Sequence, residues 1–254
     1  MPELRPIRRR AVPASALLAL FAAASAGAYI LPAWSILRRM SEARNDVQIS
    51  NLRIDGTMTF ASSSAREAAA LLGGGGSEVQ VDGVLMLKLP SRCRLEVSTQ
   101  FARGAVVWSH GKQRAEGVRL DELAIALAQI CPLLATHSGS EAATRAAVEH
   151  YLSAINVQTK TSLGRLGRQI AYVLGQPAEG EPQLWIYKDN FLPARVRWTG
   201  ADKRHRDLRF LDYGSALTGE AFPRVIELFR ESELLLRFSG LKSDSRAGLA
   251  EKLF

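Results

Sequence analysis

A chain of 254 residues with 47% hydrophobic residues is long enough to bury a core as one large domain or two small ones. This composition excludes an intrinsically disordered protein. The net charge of +8 partly belongs to the N-terminus, because removing residues 1–26 leaves 29 basic and 24 acidic residues, a net charge of +5. The remaining arginines are scattered, and no helix-turn-helix or zinc-finger spacing accompanies them, so the composition argues against a nucleic-acid partner.

The N-terminus has the three parts of a secretory signal peptide. Residues 8–10 are three arginines, residues 11–23 form an apolar core, and residues 24–26 (Ala-Ser-Ala) form a small-x-small cleavage site before Gly27. This pattern predicts an exported, periplasmic protein.

We therefore expect a signal peptide over residues 1–26 and a mature domain over residues 27–254. The alternative is an uncleaved membrane anchor, because residues 11–37 carry no charge and about 20 apolar residues span a bilayer. Pro32 interrupts this run, which favours cleavage.

Trp34, Leu37 and Met40 are at helical spacing, which suits an amphipathic first helix of the mature domain, and the chain becomes rich in strands from Val47. Residues 47–60 alternate around Gly56, which predicts a long strand bent at the glycine. Residues 62–72 form a short alanine-rich helical segment, and residues 79–89 place valines and leucines on one face of a second strand. Another strand and a hairpin that turns at Gly111 follow.

The hydrophobic period changes in the middle of the chain. Apolar residues recur there at three- and four-residue spacing: Leu120, Leu123, Ala124, Leu127, Ile130 and Leu134. This spacing predicts an amphipathic helix over residues 120–134. Ser138 and Glu141 fit a capping box at the start of a second helix.

Residues 183–198 read as a complete hairpin with a turn at Asp189 and Asn190. Alternation in both arms gives it one apolar and aromatic face and one basic face. Strands continue to the end of the chain, for a total of about eleven strands and three or four helices. Helices inserted into an antiparallel meander predict an α+β fold, with one strongly curved sheet and helices on its concave face.

The two cysteines, Cys93 and Cys131, lie on a predicted strand and on the central predicted helix. In an oxidising compartment such a pair is expected to form a disulfide, and two buried free thiols are the alternative.

No catalytic or metal-binding pattern stands out. The four histidines lie on different elements, no Gly-x-Ser-x-Gly motif occurs, and no cysteine neighbours a histidine. Glu116, Asp121 and Glu122 flank a helix start, where the helix dipole favours acidic residues, and residues 202–207 read as a hairpin tip. We expect no catalytic residue, no metal and no cofactor.

The chain resembles the LolA-type periplasmic lipoprotein carriers and the related outer-membrane lipoprotein-sorting proteins. The resemblance covers most of the mature chain and includes the stretches KLPSRCRLE, LWIYKDNFLPARVRW and FPRVIELFRESELLLRF. It implies an incomplete antiparallel barrel with a helical lid, whose apolar cavity holds lipoprotein acyl chains in transit between the two membranes. Carriers of this type often have an arginine immediately before the corner proline, and this arginine bonds the lid. Here Leu89 precedes Pro90, so the resemblance does not imply this contact with the lid.

The expected function is a carrier that binds the acyl chains of lipoproteins, or another lipid, for transfer toward the outer membrane. An inner-membrane release complex and an outer-membrane receptor are the implied partners, and no enzymatic activity is expected. The expected lipid-binding residues are Leu85, Leu87, Trp108, Leu123, Leu127, Ile130, Trp185, Val196, Trp198, Phe210 and Phe238. A closed core would use the same residue types, so this alternative stays open. The alternative function is a sensory or structural envelope module, anchored by an uncleaved N-terminal helix.

Overall fold

Twelve strands form one sheet in the computed structural model, which describes residues 30–47, 49–136, 139–219 and 221–254. The strands are β1 (Asn51–Ala61), β2 (Glu78–Lys88), β3 (Arg92–Ser98), β4 (Arg103–Ser109), β5 (Lys112–Gly117), β6 (Thr161–Leu166), β7 (Gln169–Gly175), β8 (Gln183–Tyr187), β9 (Pro193–Thr199), β10 (His205–Leu211), β11 (Val225–Arg230) and β12 (Glu233–Asp244). The helices are α1 (Ala33–Asn45), α2 (Ser62–Leu72), α3 (Asp121–Leu134) and α4 (Glu141–Ala154), with a final 3₁₀ turn at Glu251–Leu253. The predicted signal peptide and Ser138 lie outside the described residues.

The strands follow the order β5-β4-β3-β2-β1-β12-β11-β10-β9-β8-β7-β6, and each neighbouring pair is antiparallel. The two ends of the meander join through the pairing of β1 with β12. Glycine is required at this junction, because a Cβ on Gly56 would lie 2.2 Å from the carbonyl oxygen of Ser239. The register of β1 against β12 shifts at the same place, between Asp55 and Gly56, so the strand bends where the sequence predicts.

The sheet curls around α3. This helix contacts β3, β4 and β5 at one end of the strand order and also contacts β9, eight strands away from β5. In a flat sheet that separation would be about 38 Å, which is much more than the width of a helix. β5 and β6 do not pair with each other, so the sheet remains open. The predicted α+β class, a curved, incomplete antiparallel barrel with a helical lid, is confirmed, with twelve strands instead of about eleven.

The helix starts follow from local chemistry. α3 has Asp121 and Glu122 in its first turn, as the sequence predicts. α4 is capped by Ser140, whose hydroxyl accepts a hydrogen bond from the backbone N–H of Ala143 at 3.2 Å. The helix therefore begins at Glu141 with Ser140 as its N-cap, and not with the predicted Ser138.

The C-terminal segment, residues 245–254, lies against the outer face of β2 to β5. A small apolar cluster joins the two: Met86, Val107, Ala247, Leu249 and Phe254. Basic side chains of the strands donate to carbonyl oxygens of the segment, Lys88 to Leu249 at 2.8 Å and Arg114 to Phe254 at 2.6 Å. The segment therefore buries Met86 and Val107 on the outer face of this half of the sheet, whereas β5 stays largely exposed.

We expect alkaline pH to destabilise the fold through its buried tyrosines. Burial raises the pKa of Tyr187 to about 12, and its hydroxyl donates to the carbonyl oxygen of Phe210 at 3.2 Å. A tyrosine in the unfolded chain has a pKa of about 10. The stability due to the neutral hydroxyl is therefore complete below about pH 10 and is lost as the pH rises toward about 12, by roughly 1.4 kcal/mol per pH unit.

Urea denaturation between pH 9 and pH 12 measures this loss. The control variant Tyr187→Phe lacks the ionisable hydroxyl, so its stability is expected to fall less steeply over this range. Equal slopes for the two proteins would show that Tyr187 ionises normally in the folded state.

Candidate functional site

The C-terminal end of α3 is fixed to the sheet. Cys93 on β3 and Cys131 on α3 form a disulfide with an S–S distance of 2.05 Å, which confirms the predicted pairing. One turn beyond, the carbonyl oxygen of Ala135 accepts a hydrogen bond from the backbone N–H of Ser91 at 3.0 Å. The corner that contains Leu89 and Pro90 therefore holds this end of the helix through backbone and disulfide contacts.

The N-terminal half of α3 is held by buried apolar side chains and by one side-chain hydrogen bond, not by the disulfide. The side-chain amide of Gln113 on β5 donates to the carbonyl oxygen of Ala124 at 2.7 Å. In the C-terminal half, the side chain of Gln129 accepts a hydrogen bond from the hydroxyl of Tyr151 on α4. These are single side-chain hydrogen bonds, each worth about 1 kcal/mol.

Most of the predicted lipid-binding residues meet in the interior beneath α3. Leu123, Leu127 and Ile130 form the face of α3 that is turned toward the sheet, and each is at most 1% exposed. The sheet contributes a matching set of buried side chains: Leu85, Leu87, Val196, Phe210 and Phe238. Trp108 lies directly opposite Cys93 in the β3–β4 register and is partly buried. In this structure the interior is filled by these side chains.

Trp185 does not join them. It pairs with Arg195 across the β8–β9 hairpin, whereas Leu184 pairs with Val196, so Trp185 and Val196 lie on opposite faces of the sheet. The guanidinium of Arg195 lies 5.2 Å from the centre of its ring, and Arg195 also binds Asp207. The indole N–H donates to the side chain of Gln183 at 2.9 Å. Trp185 is therefore part of the basic outer face, away from the lid.

A cavity of about 480 Å³ opens on the other side of α3. Apolar side chains line much of it: Ala124, Ile125, Ala128 and Trp198. Gln113 and Arg206 are also in its wall. The cavity exists because the curled sheet brings β5 close to the β9–β10 hairpin, and α3 lies between them.

Trp198 is the one residue of the predicted lipid-binding set that lines this cavity. Ile125 is not among the predicted residues, because it falls outside the apolar stripe that contains Leu123 and Leu127. The available signal is its spacing to Ala124 and Ala128, which gives α3 a second, shorter apolar face. Arg206 carries no sequence signal, since arginines are scattered over most strands of this half of the chain, namely β6, β9, β10, β11 and β12.

The described part of the chain contains no group of three or more His, Cys, Asp or Glu side chains that could hold a metal ion. Its helices are also too short, or too polar, to cross a bilayer. The chemistry that the cavity itself offers is apolar contact, an aromatic ring, one arginine, the amides of Gln113 and Gln129, and the carboxylates of Asp121 and Asp202.

No family model and no curated protein matches the chain. Among solved structures it is similar to a LolA superfamily protein from Nitrosomonas europaea, with 12% identity and a TM-score of 0.48 over 89% of this chain and 98% of the other. It is also similar to a putative outer-membrane lipoprotein-sorting protein domain from Vibrio parahaemolyticus, with 11% identity and a TM-score of 0.43 over 86% and 94%. The Pseudomonas aeruginosa MucA/MucB complex shows 15% identity and a TM-score of 0.31 over 87% and 60%.

Proposed function

We propose that this protein is an exported, non-enzymatic carrier of the cell envelope, which binds the acyl chain of a lipoprotein or another lipid in the cavity beside α3. The observation that carries the proposal is the open, largely apolar cavity along α3, a helix that a disulfide joins to the sheet near its C-terminal end only. The carrier takes its cargo from an inner-membrane complex and passes it to an outer-membrane receptor.

The size and lining of the cavity suit an acyl chain. Its volume of about 480 Å³ falls within the range of about 300–1,000 Å³ that is typical of small-ligand sites. Each methylene that moves from water into such a site contributes about 0.8 kcal/mol. Several methylenes along Ile125, Ala128 and Trp198 therefore supply enough binding free energy for a reversible carrier.

A longer chain reaches the interior at the N-terminal half of α3. Moving this half breaks the hydrogen bond between Gln113 and Ala124, which costs about 1 kcal/mol, and it also separates the buried leucines of α3 from the sheet. The acyl chain then replaces contacts of the interior residues around Leu123 and Leu127. The Cys93–Cys131 disulfide keeps the other end of the helix in place, so the lid pivots there.

Uptake of a fluorescent acyl probe tests the carrier function. Wild-type protein is expected to bind the probe, and Ile125→Gln is expected to weaken binding about tenfold, because an amide in the apolar wall loses its hydration without gaining a partner. Ile170→Gln is the matched control, because Ile170 is 40% exposed on β7 and does not line the cavity.

Native mass spectrometry of protein purified from the periplasm is expected to detect a bound lipid mass as well. Absence of probe uptake by the wild-type protein would reject the carrier function. Equal losses in the Ile125 and Ile170 variants would place the binding site elsewhere.

A further inference from the structure

Arg206 occupies an unusual position for a charged side chain. It alternates along β10 with Leu208 and Phe210, both of which are fully buried, so it belongs to the covered face of the sheet. It lies directly across from Trp198 in the β9–β10 register and is only 7% exposed. Both residues line the cavity beside α3.

The guanidinium of Arg206 is only partly satisfied. Its Nη2 donates to the carboxylate of Asp202 at 2.7 Å, and Asp202 lies at the exposed tip of the same hairpin. The Nε and Nη1 atoms are buried and have no hydrogen-bond partner among the described residues. A buried charged donor without a partner is costly, so a ligand group that reaches these two N–H groups would satisfy them.

The backbone packs closely against this ion pair. A Cβ on Gly200 would lie 3.2 Å from Nε of Arg206 and 2.7 Å from Oδ1 of Asp202. The glycine therefore lets Asp202 and Arg206 pair at the end of the cavity, where a larger residue would displace the carboxylate.

We propose, on the basis of the acyl site described above, that Arg206 binds an anionic head group and that the cavity selects amphiphiles that carry a carboxylate or a phosphate. A guanidinium presents parallel N–H groups that match the two oxygens of either anion. The head group meets Nε and Nη1 of Arg206, while the attached chain lies along Trp198 and Ile125. The cargo is thus an acidic lipid, not only any apolar chain of suitable length.

Displacement of the bound fluorescent probe tests this selectivity with ligands that share one chain length: dodecanoate, dodecyl phosphate and dodecanol. Wild-type protein is expected to bind the two anions about tenfold more tightly than the alcohol. Arg206→Gln is expected to remove this preference, so that the variant binds the three ligands with equal affinity. Arg204→Gln, which removes an exposed arginine from the same hairpin turn, is the matched control and is expected to keep the preference.

One further variant keeps the test decisive if Arg206→Gln does not fold. Asp202→Asn removes the carboxylate that competes for the guanidinium, so it is expected to increase the preference for anions several-fold.

Each outcome separates the head-group site from the carrier function. Equal binding of the three ligands by wild-type protein would overturn the role of Arg206 but leave the acyl site intact. Failure of all three to bind would reject the carrier function itself. Binding of inorganic phosphate as tightly as dodecyl phosphate would identify a phosphate site and overturn the selection of amphiphiles.

Discussion

Removal of the Cys93–Cys131 disulfide is expected to lower the free energy of unfolding by about 4 kcal/mol and the Tm by about 10 °C. The bond joins residues that are 38 positions apart, so it restricts a long loop in the unfolded chain, which is the main source of stabilisation in the chain-entropy model. It also connects α3 to β3, and in the folded state both cysteines are buried.

Thermal unfolding of the double variant Cys93→Ala/Cys131→Ala, compared with wild type, measures this effect. Adding a reductant to the double variant serves as the control and is expected to leave its Tm unchanged. A double variant that melts with the wild-type protein would show that the bond contributes nothing to stability, and that other contacts fix the C-terminal end of α3.

Leu127→Gln is expected to destabilise the whole domain by about 2–4 kcal/mol. Leu127 is 0% exposed and lies between α3 and the interior face of the sheet. An amide at this position loses its hydration and leaves part of the space of the leucine unfilled. Ile125 faces the cavity two positions earlier on the same helix, so Ile125→Gln is expected to cost less than about 1 kcal/mol.

Urea denaturation of both variants, together with probe uptake, separates the two sides of α3. The expected pattern is a loss of stability for Leu127→Gln and a loss of binding for Ile125→Gln. If Leu127→Gln were no less stable than Ile125→Gln, the face of α3 toward the sheet would not be a closed core, and the interior would admit a ligand without resistance.

Many features of the fold could be predicted from local patterns. The alternation over residues 79–89 corresponds to β2, and the leucine spacing over residues 120–134 corresponds to α3 within one residue. The pairing of Cys93 with Cys131 followed from export and from the presence of only two cysteines. These features could be predicted because alternation and helical spacing are local, and because two cysteines in an oxidising compartment have one possible intramolecular partner each.

The interior side chains were also predicted from these patterns, with one exception. Leu123, Leu127 and Phe238 are buried where periodicity places apolar residues. Trp185 is apolar and lies on the outer face, because the register pairs it with Arg195. Hydrophobicity alone does not distinguish an aromatic residue in the core from one that supports a guanidinium on the surface.

The sequence by itself determined which side of each helix and strand is apolar, and therefore the fold class, the disulfide and most of the interior. Only the tertiary structure decided that Ile125, Trp198 and Arg206 share one cavity. These residues lie on α3, β9 and β10, and they meet because the sheet curls until β5 approaches the β9–β10 hairpin. The hydrophobic period of a segment shows which of its own faces is apolar. Which other segment packs against that face depends on the curvature of the whole sheet, which no single segment encodes.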